Sequence, residues 1–363
     1  MKLSFRISAS ALCVSMLILL SCGRDATEGD IDYDLSAFDV IDLSDVEPER
    51  VSPPEMMLGI PFDMCMVSDS IFAFQDDRAQ KQLWLLNVNS GKFANILYRG
   101  NGPKECLGVS NTWADDGYLF VGGVRDRKIL KIAIDPDTLG SDVTCLGEIP
   151  VDFLKAVTLS DSSLIYAPFT ELEIRFLSAR MDGTTTDTLG RLPYDRLSEG
   201  LVPKNSMFQM QIALSPDKRH MVSSNLSWNI TEIYALPEGD VTVLNGPIKI
   251  NSKIVSVSIP LGTIYPQEPS WRMFIGVKAC NDGFAQGFVG RELKTDEDYE
   301  KYPETILFFD WNGNPTKMVK LGREMFDFTI DFASMTLYAL TKEPEPMLVK
   351  YTIPVSYDEI MGK

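Results

Sequence analysis

The chain has 363 residues, 45% of them hydrophobic, with 34 basic against 51 acidic side chains and a formal net charge of −17. That apolar fraction is ample for a packed core and excludes a disordered chain, while the negative charge would repel a phosphate backbone and excludes nucleic acid as a natural partner. A single histidine, His220, nearly excludes multi-histidine metal sites and leaves any serine–histidine–aspartate machinery dependent on one residue.

Residues 1–21 read as a signal peptide. Lys2 and Arg6 give it a basic start, and Ile7 to Leu20 form an apolar stretch of 14 residues, short of the ~20 that cross a bilayer as a helix. Leu19-Leu20-Ser21-Cys22 resembles the bacterial lipobox, in which the signal is cut before a cysteine that is then lipidated. The resemblance makes Cys22 the expected lipidation site and the outer membrane the expected address, surface-facing or on the periplasmic side. An ordinary signal peptide with a cysteine at its end is the alternative. Loss of residues 1–21 removes two positive charges and leaves −19, so the membrane is expected to be held by lipid and not by attraction to anionic headgroups. Residues 22–34 are polar and acidic and read as a flexible tether, and residues 35–363 as a single domain.

Cys65, Cys106, Cys145 and Cys280 remain. Two disulfides with three possible pairings are conceivable in an exported chain, but the spacings are wide and no CxxC pair occurs. A core this large needs no staple, so unpaired thiols packed as small hydrophobes are expected.

From there on one pattern recurs. A polar turn leads into a short apolar strand at Asp69 before IFAF, Asp115 before YLFVG, Asp161 before LIYAP, Asp217 before HMVSS, Asp282 before FAQGFV and Asp331 before TLYAL. The turn aspartates lie 46, 46, 56, 65 and 49 residues apart. A second strand follows each time (QLWLLNV, KILKIAI, EIRFLSA, TEIYAL, TILFFDW, PMLVKYT), and a third follows in the first five units (FANILYR, VTCLGEI, TDTLGRL, VTVLNGP, TKMVKLG). With the strand before each aspartate turn, every unit holds four strands. Six such units arranged radially make an all-β, six-bladed β-propeller. The sixth unit lacks its last strand, and Phe38 to Leu43 alternates apolar and polar without a unit of its own, so an N-terminal strand is expected to close the last blade.

Gly100-Asn101-Gly102-Pro103-Lys104-Glu105, after the first unit, is similar to the GxGPxE segment of the TolB-like six-bladed propeller lipoproteins of Bacteroidota. This resemblance implies the fold and the envelope location and transfers no catalytic residue.

In a blade with strands A to D from the axis outward, the A–B and C–D turns share one face and the B–C and D–A loops the other. Irregular loops on a rigid scaffold are where function usually sits, so the loop face is the expected binding face. Its B–C loops bring Arg78, Arg125, Arg127 and Arg291 to comparable places, suited to a carboxylate, sulfate or phosphate. The alternative is that they pair with neighbours such as Asp76, Asp77, Asp126 and Glu292. The D–A loops and inner-strand starts add Arg99, Asn101, Lys104, Glu105, Gln209, Gln211, Trp271 and Arg272, and a B–C loop adds Trp228, a mixture able to stack on and hydrogen-bond to a sugar. Packing and channel lining are the bland alternative for these. His220 starts a strand beside the short-turn face and reads as structural.

No catalytic constellation, cofactor motif or metal-binding spacing assembles in this sequence; the paired acids lack the D-x-[DN]-x-[DN]-G pattern of a calcium loop. The expected function is therefore a cell-envelope binding or scaffold module for a glycan, a peptide or an envelope protein. The rival is a hydrolase or lyase acting on a sugar or lactone, with carboxylates or Ca²⁺ near the axis.

Overall fold

The computed structural model describes residues 30–363 apart from 77–79, 170–173, 202–203 and 261. The signal peptide, Cys22 and most of the tether lie outside the described residues, as does Arg78. Six of the sheets stand around a common axis as blades. Their inner strands are Pro61–Ser68, Val109–Asp115, Phe153–Ser160, Met210–Leu214, Trp271–Ala279 and Met325–Asp331, and each begins a run of four antiparallel strands laid outward, in chain order in the first five blades. The second strands are buried because blades face them on both sides, and most open on an apolar run: all six residues of Ile71–Asp76 are buried. Outer strands such as Thr185–Arg191 are largely exposed. Buried clusters fill the wedges between blades, one pairing Leu83 and Leu85 of the first blade with Leu119, Val121 and Leu130 of the second.

The ring closes where the sequence places the closure, though not with the strand the alternation suggests. Glu49–Arg50 pairs antiparallel with Lys350 and Val349 and supplies the outer strand of the sixth blade. Asp39–Asp42 instead runs parallel to Pro315–Lys320 as a fifth strand outside the fifth blade. Ile31–Asp32 does the same outside the fourth blade, so the body begins inside the stretch expected to be tether.

The two longest intervals between turn aspartates also have a structural cause. The described residues of 192–209 and 246–270 are excursions on the loop face, the second holding the small hairpins Val257–Ile259 with Gly262–Ile264 and Lys253–Ile254 with Gln267–Glu268. Leu192, Met207, Phe208, Ile250 and Ile254 from these excursions are buried in the cluster that contains Trp228.

Candidate functional site in the axial cavity

The six inner strands surround a cavity of about 1040 Å³. Among the described residues its lining comes from those strands and from the A–B turns, including Asp115, Asp116, Ser215, Lys218, Asn281 and Phe332, with Tyr357 from the short C-terminal helix Tyr357–Ile360. No described residue of a B–C or D–A loop contributes. The cavity therefore opens on the short-turn face, opposite to the face expected from loop irregularity.

Its inner end is polar for a reason written into the strands. Asp63, Asn111, Lys155 and Asp327 are each the third residue of an inner strand, and in all four strands the pairing slips at that point, leaving a β-bulge. A bulge re-aims side chains that regular pleating would send between the blades. Asp63 sits at φ 55°, a left-handed conformation that Asp tolerates better than most residues.

These side chains then lace one blade to the next. Asp63 Oδ2 accepts hydrogen bonds from the Thr112 amide at 2.5 Å and from Gln75 Nε2 at 2.8 Å. Asn111 exchanges two bonds with the Ala156 backbone, at 2.6 and 3.2 Å, and Lys155 Nζ donates to the Ser110 carbonyl at 2.6 Å. The Gly276 amide donates to Gln211 Oε1. Asp327 Oδ2 accepts from the Met64 amide at 2.6 Å and lies 3.5 Å from Lys278 Nζ, which itself donates to the Met64 carbonyl at 2.6 Å. Gly276 has φ +80°, and a Cβ there would press on both Asp327 Oδ1 and the Phe328 ring, so only glycine admits the carboxylate this close.

Burial of Asp327, whose side chain is 2% exposed, pushes its carboxyl above the ordinary range, with Lys278 opposing. Burial likewise pushes the Cys65 thiol on the cavity wall up to about 12, which makes it a poor nucleophile at neutral pH. At the mouth, Lys218 of the fourth blade's turn pairs with Asp115 of the second blade's turn at 2.7 Å, reaching past the third blade. The Tyr357 hydroxyl donates to Asp282 Oδ2 at 2.7 Å and holds the C-terminal helix at the rim.

Of the described ligand-binding candidates, the structure brings only Gln211 into this cavity. Trp228 is 0% exposed, packed at a tilt against Phe208 with the Arg196 guanidinium over its ring, and is core. Trp271 packs half-buried on the same cluster. Arg272 donates to the carbonyls of Tyr299 and Lys301, Arg127 to that of Pro150, and Arg291 pairs with Asp298 at 3.3 Å. Lys104 pairs with Asp142 at 2.7 Å. Arg99, Arg125 and Gln209 are exposed without converging on a site.

The distinctive GxGPxE segment is a structural turn. Glu105 Oε2 folds back to accept the Gly102 amide at 3.0 Å, a Cβ at Gly100 would collide with that carboxylate, and Lys128 Nζ donates to the carbonyls of Asn101 and Gly102. His220 stacks on Trp311 with ring centres 4.7 Å apart, away from the cavity. Cys65, Cys106, Cys145 and Cys280 are free thiols, Cys145 alone being exposed.

Sequence reasoning passed over Asp63, Lys155, Lys278 and Asp327. Their signal was a charged residue interrupting an otherwise apolar inner strand, as in FDMCMV and FLKAV, at the same third position for Asp63, Lys155 and Asp327. Among the described residues no three His, Cys, Asp or Glu side chains are grouped to hold a metal ion, and no helix is long and apolar enough to cross a membrane.

A family model for TolB-like 6-blade propeller-like proteins matches residues 47–332. Among solved structures, the chain is similar to a Bacteroides fragilis protein described as exported, 12% identical over 85% of this chain and 87% of that one, with a TM-score of 0.52. It is also similar to a gluconolactonase of Xanthomonas campestris, 11% identical over 86% and 96% of the two chains, with a TM-score of 0.48. Comparison with curated proteins finds no match.

Proposed function

We propose, for a chain that belongs to the TolB-like six-bladed propeller family, a binding role at the cell envelope: a lipid-anchored, exported propeller that takes a small polar ligand into its axial cavity through the short-turn face. The observation that carries this reading is the cavity itself. It has the size of a small-molecule site, an inner ring of oriented polar groups, and walls softened by Met66, Val157, Val277 and Ile330. Recognition is favoured over turnover because the deep carboxylates are each anchored by hydrogen bonds and have no catalytic partner beside them. Asp327 is held by two backbone amides and Lys278, Asp63 accepts from its neighbours, and neither stands beside a nucleophile oriented by a base.

Two measurements test the reading. Purified residues 30–363 screened by thermal shift against neutral sugars, amino acids and short peptides should find a saturating ligand. Hydrogen exchange with it bound should slow in the inner strands and A–B turns; protection confined to the B–C loops, or no ligand at all, would overturn the cavity as the site. For the address, Cys22→Ser should move the protein from the membrane to the soluble fraction, and unchanged membrane association counts against the anchor.

A further inference from the structure

The charges inside the cavity are not all matched, and the mismatch points to a ligand class. Seven charged side chains line it: Asp63, Asp115, Asp116, Asp327, Lys155, Lys218 and Lys278. Lys218 pairs with Asp115 at the mouth and Lys278 with Asp327 at the inner end, while Asp116 stands exposed at the rim. Asp63 and Lys155 are left, both half-buried and neither in an ion pair.

Each also has bonding capacity in reserve. All the hydrogen bonds to the Asp63 carboxylate fall on Oδ2, from Thr112 and Gln75, and Oδ1 takes none. Lys155 spends one of its three N–H donors on the Ser110 carbonyl. Beside them Gln211 commits its oxygen to Gly276 and keeps its amide N–H groups. One carboxylate and one ammonium, each held in place by the fold and each short of an opposite charge, make two poles that charge-assisted hydrogen bonds would complete. They stand on the first and third inner strands with the second between them. They do not pair with each other, and the cavity of about 1040 Å³ that holds them is far roomier than a single amino acid needs.

We infer that the axial cavity binds a short peptide with free ends, two or three residues long, its α-ammonium on Asp63 Oδ1 and its terminal carboxylate on Lys155, with the apolar wall of Met66, Val157 and Val277 receiving its side chains. This rests on the reading of the cavity as the binding site.

The experiment uses residues 30–363 with a library of unmodified di- and tripeptides, bound species being identified by native mass spectrometry. Members of the library should be retained, and the N-acetylated or C-amidated form of any retained peptide should bind at least about tenfold more weakly. Asp63→Asn should weaken binding similarly while leaving melting near wild type, because the remaining carbonyl oxygen can take the Thr112 and Gln75 bonds and Asn tolerates the positive φ. Lys155→Gln should weaken binding while keeping a donor for Ser110. Retention of capped and free peptides alike, or insensitivity to both substitutions with the fold intact, overturns the inference. If neutral sugars bind in the inner strands and no peptide does, the peptide assignment fails and the cavity remains the site; if nothing protects the inner strands, both fail.

Discussion

At the scale of single residues, charge in this protein is mostly spent on holding turns, and acid should reveal it. Asp298 closes the turn that starts the short helix Asp296–Glu300: its Oδ2 accepts from the amides of Lys294 and Thr295 at 3.0 and 2.9 Å and from the Thr295 hydroxyl, and Arg291 reaches Oδ1. Those donors favour the charged form and hold the carboxyl down at about 2, against an ordinary 3.8. A depressed folded value means the stabilisation is complete above 3.8 and is lost as the pH falls through about 2. The Thr295 amide chemical shift should therefore titrate with a midpoint near 2, and a midpoint at the ordinary carboxylate value would show that the carboxyl is not so held. The same economy explains what was legible at this scale. Arg291 reads from sequence as a candidate anion ligand or as a loop charge pairing with a neighbouring acid; the structure gives it Asp298. Sequence spacing cannot distinguish a free arginine from one paired seven residues away, nor show that Glu105 folds onto Gly102 instead of facing solvent.

At the scale of elements, the blades were readable because a strand buried on both faces must be an unbroken apolar run, and turn chemistry must punctuate it. What escaped was pairing that needs neither. Ile31–Asp32 and Glu49–Arg50 are two residues each, too short for any period, and the parallel addition of Asp39–Asp42 leaves no turn to mark it. The alternation of Phe38 to Leu43 correctly signalled a strand, while its address was set by packing. Phe38 meets Tyr33 and Phe309 edge to face with ring centres 5.9 and 5.3 Å apart, and Leu43 is buried in the cluster between the fifth and sixth blades.

The junction of the third and fourth blades uses a different device. Arg175 Nε meets Glu232 Oε2 at 2.9 Å with both side chains buried, and the guanidinium also donates to Asn205 Oδ1 and the Phe208 carbonyl. Glu232 takes further bonds from Ser223 and Tyr234, whose hydroxyl burial and the glutamate together push well above its ordinary range. A buried ion pair with its remaining donors satisfied in this way fixes how two blades meet more than it adds to stability. In the sequence it was visible only as a glutamate interrupting TEIYAL, the same kind of anomaly that marks Asp63 and Lys155 on the axis.

At the scale of the whole molecule, a ring has no free edge only while its ends are joined, and here the joint is an N-terminal strap, residues 31–50, that pairs in turn with the fourth, fifth and sixth blades. The two-residue strand Glu49–Arg50 would be a weak clasp by itself, but Val51 and Ser52 extend it by donating their amides to the Leu348 carbonyl, and the Leu348 amide donates to Ser52 Oγ at 3.1 Å. Removing the strap in stages should separate rim support from closure. A chain beginning at Ser44 keeps the clasp and loses the fifth strands together with the buried Phe38 and Leu43; an aromatic taken from a core costs ~3–5 kcal/mol and a leucine ~2–5 kcal/mol. In a domain of this size, which shifts by about 1.5 °C per kcal/mol, that corresponds to a melting temperature lower by roughly 7–15 °C with one cooperative transition retained. A chain beginning at Pro53 leaves Met347–Thr352 as an open edge, and open edges invite pairing between copies. It should melt over several steps or aggregate, and should lose ligand protection of the inner strands, since Asp327 on the sixth blade reaches Met64 on the first directly across the opened joint. Differential scanning calorimetry of the two truncations beside residues 30–363 decides the matter. Equal, single transitions in all three would mean that the first and sixth blades hold together through the axial ring alone and that the strap is dispensable.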